Sequence, residues 1–438
     1  MNDLLTTLLQ KVDEPAAKYA DLERYYTATQ PLTFLSPEAK TALGDRFGRM
    51  AANLPRLAVT SLAERLRVTG FDGVDVFDDW QRNDMDELSA VAIREALLLG
   101  SAYILVWADR YGRPQVSVES AKQMSCLRDP GTRRITHALK RWETATTTEA
   151  VLYGPDEIVR YRANATGATT NGFHIVESIA NPLGVPPVVR LLNSDRILDE
   201  GVSEIEDLKP VADLLNKLLA DLAVASEYSA RSRRWATGLE LDERPILDED
   251  GNDTGETETV NPIDEGMRMM VSESENTKFG QLDGADLAGF TNAVDIVLGM
   301  VSATSAMPMH YLGVMNNQPA SADALRASEA SLTARAEARQ KQFGRAFEDV
   351  ARLIVAVRDG VDPLNVDVRV KWADASTRSV AQEADAVTKM FAAGLLPASY
   401  ALQRLGYSDS EIEAIRVARR AEALDTVGVN LQALPRSA

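Results

Sequence analysis

The sequence predicts an α+β chain, mainly helical, on three observations. Apolar residues recur at spacings of three and four through Leu287, Phe290, Val294, Val297 and Val301, and again through Phe343, Phe347, Val350, Ile354 and Val357. This is the spacing of one helix face. The run Ile205, Leu208, Ala212, Leu215, Leu219, Leu222, Ser226 keeps that period without a slip. At Gly100 the period changes: Ala102 to Trp107 is a continuous apolar run, followed by short alternating segments separated by turn residues. That marks a β-rich region.

Taken in order, Tyr19 to Tyr26 reads as a short helix with a tyrosine face. Ser36-Pro37-Glu38 is a helix start, with a serine N-cap and proline in the first turn, and that helix ends before Pro55. A further helix runs through Leu57, Ser61, Leu62 and Leu66. Gly70-Phe71-Asp72-Gly73 then turns the chain into a short strand over Val74 to Phe77, and Asp84 to Leu99 is helical. Strands are expected at Ala102–Trp107, Gln115–Val118, Ile135–Trp142, Ala150–Tyr153, Ile158–Tyr161, Phe173–Val176 and Val188–Leu192. The stretch Asn181 to Pro187 holds three prolines and must be extended.

Ser203-Glu204-Ile205-Glu206 has the form of a capping box and opens the long amphipathic helix, with Pro210 as a kink or a restart. Its narrow seam suits a neighbouring helix, either the one beginning at Leu287 or a copy in another subunit. Arg231, Arg233 and Arg234 mark a change of composition. Between Leu239 and Glu265 there are eleven acidic residues and one basic, Arg244. Strand candidates at Trp235–Leu241 and Met267–Val271 make this a small module inserted between two long helices. Pro308 stops the second of these near Met307. A polar passage runs to Ala320, and Ser321 caps a helix from Ser321 to Arg358, about 57 Å long at ~1.5 Å per residue. Such a length connects separate bodies or lines something large. Val366 to Trp372 is a strand, Asp374 to Arg378 a loop, and Ser379 to Val427 helical with breaks at Gly394 and Gly406.

A chain of 438 residues holds two to four domains, and 45% apolar content allows full cores. The formal charge is −18, from 65 acidic and 47 basic residues. This argues against a protein that grips nucleic acid through phosphates, though not against one that lets it pass. Cys126 is the only cysteine, so no intrachain disulfide or thiolate-rich metal site is possible. No signal peptide is expected, and the apolar run Ala96–Ala108 is too short to span a membrane. There is no phosphate-cradling loop ending in GK[ST] and no glycine-rich dinucleotide turn. His137, His174 and His310 stand far apart. Asp248 to Asp253 opens like a calcium loop, but Asp253 stands where glycine is needed and Thr259 where glutamate is needed, which leaves a solvated acidic loop. No catalytic residue, metal site or cofactor is expected.

Several stretches resemble one family: Asn53-Leu54-Pro55-Arg56 leading to Leu66 and Gly70-Phe71; Trp80 with Asn83; Gly100-Ser101-Ala102-Tyr103; Pro186-Pro187-Val188-Val189 with Gly201-Val202-Ser203-Glu204; Thr304-Ser305-Ala306-Met307-Pro308 with Tyr311-Leu312; and Ser321-Ala322-Asp323-Ala324-Leu325 with Glu329. In order and spacing they resemble the portal proteins of tailed double-stranded DNA bacteriophages, in the branch typical of siphophages infecting actinobacteria, over nearly the whole chain.

The resemblance implies a ring, usually of twelve subunits, at one capsid vertex, assembled in the host cytoplasm. It implies an α/β wing (1–202), a first stem helix (203–232), a clip (233–286), a second stem helix (287–306), a tunnel loop (307–320), a long helix and strand completing the wing (321–378) and a small crown (379–438). On that reading Met309, His310, Asn316, Asn317 and Gln318 face the DNA channel. Leu215, Leu219, Leu222, Val294 and Val301 form the stem seam. Glu240, Asp242, Asp248 and Asp250 belong to the surface that meets the terminase and later the head-completion adaptor. The implied partners are other copies of the chain, the major capsid protein, the large terminase subunit, the adaptor and double-stranded DNA that passes without being read, with no membrane. Two other classes stay open on the sequence: an oligomeric virion scaffold without a channel, and an enzyme with an unrecognised site before Gly201.

Overall fold

The computed structural model describes residues 2–32, 51–230, 234–238, 242–247, 253–260, 276–281, 287–313, 322–376, 380–405, 407 and 409–432. Among these are eleven α-helices and fourteen strands, a mixed architecture in which helices take the largest share. The chain divides into two compact units, Met1–Ala373 and Asp374–Ala438.

The first unit begins with α1 (Asn2–Asp13), α2 (Ala16–Tyr26), α3 (Leu54–Ala63), β1 (Val68–Asp72), α4 (Phe77–Arg82) and α5 (Met85–Leu99). Eight strands follow: β2 (Ser101–Ala108), β3 (Pro114–Ser120), β4 (Met124–Arg128), β5 (Ile135–Glu143), β6 (Thr148–Tyr153), β7 (Glu157–Ala163), β8 (Phe173–Ala180) and β9 (Val188–Leu192). Next come α6 (Lys209–Ala230), β10 (Arg234–Thr237), β11 (Asp242–Leu247), β12 (Asp253–Val260), β13 (Lys278–Gln281), α7 (Ala288–Ser305), α8 (Ala322–Asp359) and β14 (Arg369–Trp372). The second unit is α9 (Val380–Ala392), α10 (Ala398–Arg404) and α11 (Asp409–Gln432), with Val387, Ala401 and Ile412 buried.

The core is a sandwich around the antiparallel sheet β3-β2-β9, covered by α5 and by α8. Because β2 is covered on both faces, Ala102, Tyr103, Ile104 and Val106 are all buried, and the strand reads as an unbroken apolar run. A second sheet, the antiparallel meander β4-β5-β6-β7-β8, is covered by α1. Leu5, Leu8, Leu9 and Val12 pack there on Leu139, Ala150, Leu152, Val159 and Tyr161. The C-terminal half of α8 is enclosed on most sides, with Val350, Ala351, Leu353, Ile354, Val355 and Ala356 buried and an exposed stripe at Lys341, Arg345 and Asp349. Its middle meets an aromatic chain in which Phe71, Trp80, Phe347 and Trp372 stack edge to face at 5.1–5.8 Å.

Two features lock the start of α6 to this core. Gly100 ends α5 at φ +89° and touches Gly201, at φ +122°, backbone to backbone; a Cβ on Gly201 would lie 2.5 Å from the Gly100 oxygen. Beside them, Arg339 of α8 donates to Glu204 at 2.8 Å and to Asp195 at 2.6 Å. Arg335 reaches Glu204 at 3.2 Å, and the Asn193 amide donates to both Glu204 and the Val202 carbonyl.

Several sequence expectations change. Ser203–Glu206 does not cap a helix. The Ser203 hydroxyl accepts from the Ile205 amide at 3.3 Å, but the helix begins at Lys209, with Pro210 in its first turn where a missing amide costs nothing. Glu204 and Glu206 are drawn away to Arg339 and Lys209. The strand expected at Val74–Phe77 lies earlier, at Val68–Asp72, because β14 supplies its partner there: Phe71 faces Val370 and Asp72 faces Arg369. Gly73 then turns at φ +93°, and Phe77 opens α4. Strand β4 had no counterpart in the sequence reading. In the acidic module the described part of the strand expected at Trp235–Leu241 is Arg234–Thr237, followed by Gly238 at φ +75°; residues 239–241 lie outside the described residues. Asp253 starts a strand instead of ending a loop, since β11 and β12 pair as an antiparallel hairpin, with Arg244 opposite Glu258. The expected helix at Ser36, most of the acidic loop (248–252), the Met267–Val271 strand and the Ser321 cap fall outside the described residues.

Candidate functional site

The two long helices that bracket the acidic module pack on each other, α6 against α7. Of the seam residues picked from the sequence, Leu215 and Val301 are buried, and Leu219, Leu222 and Val294 are half-buried. Val297, one helical turn before Val301, is also buried. The foot of α6 is tied to the first helices: Tyr25 donates to Asp213 at 2.8 Å and Lys209 to Asp21 at 3.0 Å. Burial and the Asp213 carboxylate both push the Tyr25 phenol well above its ordinary range. Asn216, buried in α6, accepts from the Ala52 amide at 2.9 Å.

On α7 a second apolar face remains open, with Ile296 67% and Met300 47% exposed. The sequence reading missed this face, although these residues stand off the counted seam. In eighteen residues α7 carries one charged side chain, Asp295, and no cation. Beyond α6, strands β10 and β13 pair and so bring the end of α6 and the start of α7 together. Trp235 lies over Gly280 across that ladder. Of the expected clip residues, Asp242 begins β11 opposite Val260; Glu240, Asp248 and Asp250 lie outside the described residues.

Helix α7 ends at Ala306, left-handed at φ 60°. The Ser305 hydroxyl donates to Val301 and accepts from the Met307 amide, and Ser302 donates to the Met307 carbonyl at 2.6 Å. Met307 is buried. The passage after it is not wholly loop: Pro308, extended, starts a 3-10 turn over Met309–Leu312, which Gly313 ends at φ +78°. Met309 and His310 are therefore held in a defined turn. Asn316, Asn317 and Gln318 lie outside the described residues.

That turn is clamped by groups the sequence gave no reason to join. Arg65, just past α3, donates to Glu329 of α8 at 3.0 Å, to the Tyr311 hydroxyl at 3.1 Å and to Thr333 at 3.3 Å. His310 lies 3.4 Å from the other Glu329 oxygen and stacks edge-on against Tyr311. Arg335 donates to the Thr304 carbonyl at 3.2 Å, a second tie between α8 and the end of α7. Arg65 and Glu329 are 264 residues apart, so no local pattern could pair them. A cavity of about 590 Å³ opens beside the turn, lined by Ser302, Met307, Met309, His310, Ala324 and Ser328 among others.

Among the described residues no cluster of three or more His, Cys, Asp or Glu could hold a metal, and no helix is long and apolar enough to cross a membrane. What the arrangement offers is a paired helix stalk with an acidic module at one end and a clamped turn at the other.

A family model for phage portal proteins, SPP1 Gp6-like, matches residues 13–424. The portal protein of Mycobacterium phage L5 is 30% identical over 388 residues, covering 83% of this chain and 77% of that one. The portal protein of Mycobacterium phage D29 matches with the same identity and coverage. A chain from the neck of a native gene transfer agent particle, computed with C12 symmetry, aligns at TM-score 0.48 and 14% identity over 89% of this chain and 94% of that chain. A match from residue 13 to residue 424, with two relatives alike over most of both lengths, makes the assignment plain: the chain belongs to the SPP1 Gp6-like family of phage portal proteins.

Proposed function

We propose that this chain is one subunit of a twelve-membered ring at a single capsid vertex, and that α6 and α7 are the stem of its DNA channel. The observation that carries the reading is the open face of α7. With Val297 and Val301 buried, Ile296 and Met300 are left in water, on a helix with one charge. Repeated around a ring, each such face meets the stem of the next subunit and is removed from water. The module between α6 and α7 is the clip that meets the large terminase subunit during packaging and the head-completion adaptor afterwards. The α/β body is the wing that sits in the capsid, and α9 to α11 are a small crown.

The channel works by not holding its cargo. A stem helix without cations and an acidic β11–β12 hairpin repel phosphate, so the duplex keeps its counterions and slides. The Arg65–Glu329 clamp fixes the base from which the residues after Gly313 reach the DNA. The energy for packaging comes from the terminase.

The test is the mass and symmetry of the purified protein, by native mass spectrometry and negative-stain images. Rings of about twelve copies with an open axis are expected, and Ile296→Glu with Met300→Glu disperses them. Solid assemblies without a hole, or no ring even with capsid protein present, overturn the reading. Within particles, Asn316→Ala with Asn317→Ala lowers DNA content while rings persist; unchanged DNA content removes these residues from the channel role.

A further inference from the structure

We infer that the groove between the β4–β5 turn, β9 and the enclosed half of α8 is a docking site for an acidic peptide segment that carries apolar side chains. The groove has a volume of about 1120 Å³. Its lining holds seven arginines against three carboxylates, in a chain whose overall charge is −18. Three of these arginines are engaged: Arg190 with Glu200 at 2.8 Å, Arg128 with the same Glu200 at 3.5 Å, and Arg352 with Asp349 at 2.6 Å. The other four, Arg133, Arg134, Arg345 and Arg369, are exposed and have no ion pair among the described residues. They come from the β4–β5 turn, from α8 and from the first residue of β14, so three separate elements aim positive charge at one concavity.

The floor chooses the occupant. Val188, Leu353 and Pro363 are buried beneath the groove and Leu364 stands 52% exposed at its edge. Duplex DNA would bring phosphates to the arginines and nothing to the apolar floor, and a duplex site is an open basic stripe instead of a pocket. A peptide with alternating carboxylates and apolar side chains matches both parts: arginine forks hold carboxylates bidentately while the floor takes the apolar groups.

Panning a random twelve-residue peptide library on the immobilised full-length protein tests this. Enriched peptides should combine Asp or Glu with Leu, Ile or Phe. By fluorescence anisotropy their affinity should fall at least about tenfold in Arg133→Glu with Arg345→Glu, and severalfold in Leu364→Asp. It should stay unchanged in Arg110→Glu, which reverses an arginine outside the groove. If the double reversal does not fold by circular dichroism, Arg134→Gln with Arg369→Gln gives the same reading with a smaller loss. Enriched peptides without acids, or binding indifferent to these variants, overturn the proposal. So does stronger displacement by a short DNA duplex, which makes the groove a nucleic-acid contact. A changed oligomer mass in the charge-reversed protein also overturns it, since the groove is then an interface between copies of this chain.

Discussion

Replacing Arg339 by methionine removes the cation from the most enclosed ion pair of the core. The Arg339 side chain is 8% exposed and that of Glu204 4%, at 2.7 Å. Breaking a buried pair from one side costs about 3–5 kcal/mol, because the remaining charge stays desolvated. Here Glu204 keeps Arg335 at 3.2 Å and the Asn193 amide at 3.1 Å, so the lower end applies, about 3 kcal/mol. The loss falls on a definite set of reporters: the amides of Asn193, Val202 and Glu204 donate to Gly100, Asn193 and Leu97. Hydrogen exchange of the 193–208 segment should therefore speed up roughly 150-fold while α1 and its sheet keep their protection. Glu204→Gln leaves Arg339 its Asp195 partner and should cost about 1–2 kcal/mol. The double variant should cost less than the two losses added, as members of one network do. Exchange faster by less than about threefold in Arg339→Met, or strictly additive losses, would refute the claim that this pair holds the start of α6 to the core. A pH arm follows. Arg339 holds the Asp195 carboxyl below its usual range by hydrogen bonding, against a smaller upward push from burial. A depressed carboxylate stabilises above the unfolded value and ceases to do so as pH falls through the folded one. Protection of this segment should thus decline below about pH 4 in the native protein and decline less in Asp195→Asn.

Gly201→Ala puts a methyl 2.5 Å from the Gly100 oxygen at φ +122°, and should cost about 2–4 kcal/mol, read as a lowered Tm. Phe347→Ala empties a fully buried site between Trp80 and Trp372 and should cost about 3–5 kcal/mol, with collapse of the near-ultraviolet circular dichroism. In Gly280→Ala the new Cβ meets the Trp235 indole at 2.3 Å, so the ring must swing out; its fluorescence, isolated by difference against Trp235→Phe, should shift to the red. Glu149 is buried between Arg160 at 3.0 Å and Arg162; burial pushes its carboxyl up, but the two arginines outweigh it and hold it below the ordinary value near 4.5. Its stabilisation is present above that value and lost as pH falls through the depressed one, so Tm should drop more steeply between about pH 5 and pH 3 in the native protein than in Glu149→Gln.

The parts legible in the sequence are those whose burial pattern is local. Strand β2 showed itself because both of its faces are covered, and α7 because one face is. Helix α8 was legible in length, since no proline interrupts Ala322–Asp359. What stayed hidden depends on partners far along the chain. Strand β1 exists because β14 lies about 300 residues away in sequence. Glu204 looked like a cap residue until Arg339 claimed it, and the turn at Met309 and His310 is fixed by Arg65, whose sequence context is an unremarkable helix end. Within the acidic module the strands β11 and β12 had no counterpart in the sequence, because charge patterning records solvent exposure and says nothing of cross-strand pairing, which these two nonetheless achieve.

Helix α8 is a beam with one end set in masonry. Val350, Ala351 and residues 353–356 are buried in the core, while residues 324–338 rest on the body along one edge only, at Glu329, Leu332 and Ala336. An α-helix without a proline is stiff along its axis, so a load applied near Ala322 does not fade in a loop. It arrives at Phe347 and Val350, where the sheets meet. Strain at the N-terminal end of α8 and strain in the core are thereby coupled, and a change that loosens packing around Phe347 should be felt about 35 Å away, beside the turn that carries His310.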